Sequence, residues 1–486
     1  MPQRNDRSST FNNRKTNNYR SNNLNHSSGQ SRMIIDGFGG LFDTYVKQPL
    51  KNVWSFINNP KKPNLEGFSK TRKHRPDYQI LLFMGLLMMI GLIIMYAIGP
   101  QRANVLNASY GTDFYTDSYF FIKQLISLGL SLAVFFVMGR LPLDFLYKNS
   151  GKVLIFGYIS CLLLAIFGFM NIPLAKCELG ACRWYNLGPL GSLQPSEFLK
   201  LALLLSLSVF LGAKAALGKI NNFKGTLLPA GLLVIFAMII IAIFQKDLGT
   251  AISAIAIVAA QLVMAGLNKK NVMRLGALFL ALMVLLIVIA PHRLARIATF
   301  GTEDCSQLSL DENAGDYHIC HAKIAIGSGG LLGVGIGNSV QATGYLPEAI
   351  NDSVFAIMGE TFGFVGLIVI LLLFFALLFR LLKVASHIEN PASRVFAAGA
   401  FGWLGVHVVM NVSAMTGLIP LTGITLPLLS FGGTSMIFIS ATLGVVFNIS
   451  KYTSFAEIDD FKEGKDENLS SRRGIGRPRY SSRRRI

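Results

Sequence analysis

Ten separate stretches of this chain are apolar over a length that crosses about 30 Å of hydrocarbon. They are roughly residues 79–99, 119–139, 152–170, 196–212, 226–244, 249–266, 273–291, 353–379, 395–414 and 434–450. In lipid every backbone amide and carbonyl needs an internal partner, so such stretches fold as helices. The chain is expected to be an all-α, polytopic membrane protein with ten transmembrane helices. Composition agrees, with 52% apolar and 15% charged residues, against about 25% charged in soluble chains. A soluble enzyme, a disulfide-rich secreted module and a disordered scaffold are excluded.

A net charge of +19 raises nucleic-acid binding, and the placement of the charge argues against it. Residues 1–78 hold 14 Lys/Arg and 5 acids, and residues 451–486 hold 10 and 6. Basic ends around an apolar body fit cytoplasmic tails near anionic lipid, so membrane topology is preferred and no nucleic-acid partner is expected. An even number of spans puts both tails on one side. Loops after the second, fourth, sixth and eighth spans carry Arg140, Lys148, Lys152, Lys214, Lys219, Lys224, Lys269, Lys270, Arg274, Arg380, Lys383 and Arg394. The alternate loops are mixed or acidic, with Asp113, Asp117, Glu178, Asp247, Glu303, Asp304, Asp311 and Asp316. Both termini are therefore expected in the cytoplasm.

Residues 1–32, rich in Asn, Ser and Arg, are expected to form a disordered basic tail. No secretory signal is expected, because the first long apolar run begins near Ile80 without a cleavage site after it. Within 33–78, residues Ile34, Phe38, Leu41, Tyr45, Leu50, Val53, Trp54 and Ile57 form a helical stripe broken by Pro49. The spacing predicts a helix in the cytoplasmic interface, with a partner-binding or merely packed helix as the alternative. The membrane domain is placed at 79–450 and a charged tail at 451–486.

Cys161 falls inside the third span. Cys177 and Cys182 share one outward loop, and Cys305 and Cys320 share another. An oxidising exterior permits two local disulfides, with free thiols and the crossed pairings as alternatives. The largest outer segment, about 292–352, has no evident structure of its own and is expected to be functional. Its glycines at 327, 329, 330, 333, 335 and 337 suit tight helix contact or close backbone approach to a ligand. No Gly-Lys-Ser ending marks a nucleotide loop.

Ionisable and polar residues gather at outer-leaflet depth: Glu197 and Lys200 after Gln194, then Asp247, Glu348, Asp352, Glu360 and Asn411. Charges at such depth default to function. The plain alternative pairs Lys200 with Glu197 and makes Asp247 the cap of the sixth helix.

Four long segments, RWYNLGPLGSLQPSEFLKLA, QKDLGTA, AIGSGGLLGVGIGNSVQATGYLPEAINDSVFAIMGE and TGLIPLTGITLPLLSFGGTS, resemble motifs of the SEDS family of FtsW, RodA and SpoVE. The resemblance covers about 80–450, in order, and leans towards FtsW. It implies a peptidoglycan glycosyltransferase that polymerises lipid II at the outer face of the bacterial cytoplasmic membrane during cell division. Implied partners are the undecaprenyl-pyrophosphate-linked glycan, a class B penicillin-binding transpeptidase and other divisome proteins. Two other classes stand beside it: a lipid II flippase or transporter, since intramembrane charges also fit transport, and a scaffold recruiting the transpeptidase.

The family's catalytic aspartate, in a pattern like Asp-Pro-x-Gly-x-Gly-Tyr-Gln, aligns with Asp311, with Asp316 or Asp304 as alternatives. Here Glu312, Asp316 and His318 replace Pro, Gly and Gln. A base made of aspartate needs desolvation or acidic neighbours such as Glu312. Arg296, with Arg293 beside it at the end of the seventh span, matches the family's arginine in an Arg-x-x-x-Phe pattern; it suits pyrophosphate or carboxylate, with an interface anchor as the alternative. The resemblance also implies substrate contacts at Glu197, Lys200, Asp247, Glu348, Asp352, Glu360, Ser430, Gly432 and Gly433. The family's Pro and His are replaced by Lys246 and Ile350. A divalent cation, Mg²⁺ or Mn²⁺, would suit the pyrophosphate, though no ligand cluster in the sequence specifies one.

Overall fold

The structure, a computed structural model, describes residues 74–178, 181–188, 191–288, 305 and 315–453. The expectations for 1–32, for the stripe in 33–73 and for the tail beyond 453 lie outside these residues.

The helices are α1 (Tyr78–Tyr110), α2 (Tyr119–Arg140), α3 (Leu143–Phe169), α4 (Pro195–Ala216), α5 (Leu228–Ile239), α6 (Leu248–Met264), α7 (Lys269–Val288), α8 (Gly315–Ser328), α9 (Val354–His387), α10 (Pro391–Met415) and α11 (Gly433–Ile449). Each of the ten apolar runs falls on one of them. Eight helical stretches among the described residues are long and apolar enough to cross a membrane, counting α5 with its flanking π turns as Phe223–Phe244. The protein is a multi-pass membrane protein. Among the described residues the count of ten is not confirmed. The sixth run falls on α6, whose 17 residues span only about 25 Å at 1.5 Å per residue, and the seventh falls on α7, also outside the eight.

Two further expectations change. The loop after α3 is not featureless: β1 (Ala175–Glu178), β2 (Ala181–Asn186) and β3 (Ser192–Leu193) form a small antiparallel sheet in the order β1-β2-β3. The outer segment at 292–352 likewise contains helix α8.

α4 lies at the centre, where every residue from Leu199 to Gly212 is buried. A helix apolar all round belongs inside protein, not against lipid on one side. α3, α6 and α10 pack on it, while α11 packs on α2, and α9 on α1, α8 and α10. Small residues permit this closeness: a Cβ on Gly212 would lie 2.6 Å from Ala392 backbone, and one on Gly444 2.4 Å from Phe135 O.

The two ends of the bundle differ. At one end the chain enters α1 and leaves α11 side by side. His74 N donates to Lys451 O, Asp77 N donates to Ser450 Oγ, and Arg380 lies 3.7 Å from Asp77. The opposite end carries the sheet, α8 and both disulfides, Cys177–Cys182 and Cys305–Cys320. Cys161 is a buried free thiol.

α9 is broken at Gly363, whose φ of 68° and ψ of −171° are not helical. A break exposes backbone groups that lipid cannot satisfy, and the glycine-dense run supplies their partners. Phe364 N and Val365 N donate to Gly330 O and Leu331 O, while Val334 N and Gly335 N donate to Glu360 O and Thr361 O. The glycines allow backbone to approach backbone: a Cβ on Gly329 would sit 2.0 Å from Gly359 O.

Candidate active site

At the disulfide-bearing end, Asp247 precedes α6 and accepts Thr250 N at 2.9 Å and Thr250 Oγ1 at 2.7 Å, while Gln194 Nε2 donates to it at 3.2 Å. It is the helix cap, and the capping interactions involve both oxygens. Lys246 has φ of 51°, a left-handed value that the fixed ring of proline forbids. The loop therefore takes a course that the family's proline could not. Arg183 holds it by donating to Gln245 O at 3.2 Å and Lys246 O at 3.0 Å. Burial pushes the neighbouring Tyr185 phenol above its ordinary pKa, and its hydroxyl donates to Ser160 O at 2.6 Å.

Glu360, 2% exposed, accepts Ser339 Oγ at 2.5 Å, Val340 N at 3.0 Å and Gln341 N at 3.3 Å. It organises the chain at 339–341 from inside the bundle. Glu348 is exposed, has φ of 50° and accepts Asn351 Nδ2. Asn411 Nδ2, buried, donates to Asp352 O and to Ile424 O, each at 2.7 Å. That single amide joins the segment bearing Asp352 to the non-helical stretch 417–432.

This stretch enters the bundle without helix and meets its own needs, as backbone at membrane depth must. Ser430 Oγ accepts Leu426 N at 2.8 Å, Phe431 N donates to Ile350 O at 2.8 Å, and Leu428 has φ of 65°. Gly91 of α1 admits it, since a Cβ there would lie 2.8 Å from Leu429 O. Gly432 precedes α11, and Gly433 packs towards Ser127. Left-handed non-glycine residues cost about 1–3 kcal/mol each and cluster at functional sites. Two of the four among the described residues, Glu348 and Leu428, lie in segments joined by these contacts.

Deeper in the bundle, Lys200 Nζ lies 2.7 Å from Glu197 Oε1 and 3.2 Å from His407 Nε2. Trp403 Nε1 also donates to His407 Nε2 at 3.2 Å. Ammonium and indole are donors only, so Nε2 accepts and Nδ1 carries the hydrogen that points to Thr425 O, 3.4 Å away. The line from Glu197 to Thr425 thus connects α4, α10 and the 417–432 stretch.

Asp311, Arg293 and Arg296 lie outside the described residues, as do the alternative Asp304 and the side chain of Asp316. In the sequence Asp311 falls between Cys305 and Cys320, which are bonded to each other. The structure brings Asp247, Asp352, Ser430 and α8 to one end and sets Glu197 and Lys200 beneath them. His321 and His407 escaped the sequence reading; a His-x-x-His spacing on α8 was the signal for the first, and nothing local marked the second. No three His, Cys, Asp or Glu side chains among the described residues gather as a cation site.

Residues 78–455 match the family model for FtsW, RodA and SpoVE, described as a cell cycle protein. The chain is 34% identical over 389 residues to stage V sporulation protein E of Bacillus subtilis (strain 168), covering 79% of this chain and all of that one. It is 31% identical over 375 residues to the probable peptidoglycan glycosyltransferase FtsW of Escherichia coli O6:H1, covering 76% of this chain and 86% of the relative. A solved peptidoglycan synthase complex contains a chain with 26% identity and a TM-score of 0.59, covering 78% of this chain and 98% of that one. The rod shape determining protein RodA of Thermus thermophilus gives 25%, a TM-score of 0.56 and the same coverages. With its helices, its broken α9 and its four motifs in register, this chain belongs to the FtsW, RodA and SpoVE family, the SEDS proteins.

Proposed function

We propose that the protein is a peptidoglycan glycosyltransferase that polymerises lipid II at the outer face of the bacterial cytoplasmic membrane. The observation that carries this reading is the Cys305–Cys320 bond. It joins Cys320 of α8 to Cys305, on either side of Asp311 in the sequence, and α8 lies at the end where Asp352 and the 417–432 stretch meet. Two disulfides at that end suit an oxidising exterior, and the basic loops at the other end suit the cytoplasm.

In the proposed step Asp311 accepts the proton of the sugar 4-hydroxyl as the oxygen attacks the anomeric carbon of the lipid-linked strand. The bond from that carbon to the pyrophosphate oxygen breaks, and undecaprenyl pyrophosphate leaves with its charge met by Arg296 and Arg293. A class B penicillin-binding transpeptidase is the proposed partner, and cell division the proposed setting.

The test is polymer formation from lipid II by the purified full-length protein with its transpeptidase. Asp311→Asn is expected to abolish polymer while leaving thermal stability unchanged. Full polymer yield from that variant defeats the assignment, and lipid II translocation without polymer from the wild type supports a flippase instead.

A further inference from the structure

The first turns of α8 are anchored at three positions within four residues. Cys320 carries the bond to Cys305. His318 and His321, three residues apart and so on one helix face, both reach the 339–353 segment.

His318 Nε2 lies 2.6 Å from Ser353 Oγ. Ser353 is buried, and its hydroxyl hydrogen is already directed to Pro347 O at 2.8 Å. A hydroxyl has one hydrogen to give, so the imidazole Nε2–H is the donor. His321, 7% exposed, donates from Nδ1 to Gln341 Oε1 at 2.7 Å. Its ring packs on Tyr345, at 6.0 Å and 16° between planes, and on Tyr317 at 4.2 Å. The two imidazoles therefore use different nitrogens to reach opposite ends of one segment, Gln341 at its start and Ser353 at its finish. Between these ends lie Glu348 and Asp352.

We propose that His318 and His321 are positioning residues that set α8 against the segment carrying Glu348 and Asp352. The inference rests on the polymerase reading above and adds to it how α8 and the 339–353 segment are held in register. A glutamine amide offers an N–H at similar reach. The disulfide fixes one point of α8, and the two lateral bonds add to its packing on α9 in holding the helix's orientation.

The test uses the full-length protein with its transpeptidase, lipid II as substrate, and His318→Ala, His321→Ala, His318→Gln and His321→Gln. A misplacement of about 1 Å costs up to about 100-fold in rate. Each alanine variant is therefore expected to lower kcat about 10-fold or more with the lipid II KM little changed, and each glutamine variant to recover most of it. A second measurement needs no substrate: hydrogen exchange at 315–328 and 347–353 rises in the alanine variants and returns in the glutamine variants. Wild-type kcat in both alanine variants, a rise in KM instead of a fall in kcat, or failure of glutamine to restore exchange protection overturns the proposal. A wild type that makes no polymer defeats the polymerase reading instead, and the anchoring then stands or falls on the exchange measurement.

Discussion

Removing the Lys200 ammonium would strand a carboxylate in the middle of the bundle. Lys200 is 0% and Glu197 4% exposed, the two lie 2.7 Å apart, and Glu197 Oε2 has no hydrogen-bond partner. Lys200→Met keeps the long apolar stem and deletes the charge. Breaking a buried pair in this way destabilises by about 3–5 kcal/mol, because the remaining charge has lost its compensation. Glu197→Gln alone leaves the ammonium with His407 Nε2 at 3.2 Å and the Trp403 ring at 4.8 Å, neither of which is an anion, so a loss of similar size is expected.

Both losses share one cause, so they do not add. The double variant Glu197→Gln with Lys200→Met is expected within about 2 kcal/mol of wild type, which makes the coupling about 4 kcal/mol or more. The assay is reversible denaturant unfolding of the four proteins in one detergent, followed by Trp fluorescence, since Trp403 sits against the ammonium. Additive losses, or a double variant less stable than either single one, would refute the buried-pair argument. A double variant that is stable yet makes no polymer would show that the charges serve the chemistry as well as the fold.

Three other outcomes follow from particular contacts. Lys246→Pro is expected to lower thermal stability markedly, by at least about 2 kcal/mol, because φ of 51° is closed to proline; Lys246→Gly is expected to keep wild-type stability, and the two melting curves decide. Gly329→Ala drives a methyl to 2.0 Å from Gly359 O and should cost upwards of about 3 kcal/mol, loosening the Glu360 contacts at 339–341, which hydrogen exchange there measures. Asn411→Ala leaves the carbonyls of Asp352 and Ile424 without their amide, a loss of about 1–3 kcal/mol for each buried group. The polymer yield of this variant is expected to fall along with its unfolding midpoint.

Much of the fold was legible because lipid imposes one requirement on backbone, and long apolar runs answer it with helix. Each of the ten runs lies on a helix for that reason. Hydropathy was less able to tell enclosed helices from outward-facing ones: α4 and α9 read alike although α4 is enclosed by neighbours and half of α9 faces outward. The small sheet after α3 escaped because strands this short carry too few residues for alternation to show. At the site, the plain readings of Asp247 as a cap and of Lys200 as the partner of Glu197 have their bonds in the structure. Spacing pointed to both, since each involves residues three apart on one chain segment.

What the sequence decided by itself was membrane residence, helical class and the motifs that place the chain among its relatives. Those depend on residue type and order along the chain, and the solvent reads them directly. Only tertiary structure decided that the glycine run fills the break at Gly363, that Asn411 ties Asp352 to Ile424, and that His318 reaches Ser353. Partners dozens of residues apart leave no periodic trace in one sequence; they meet only when packing fixes which helix faces which.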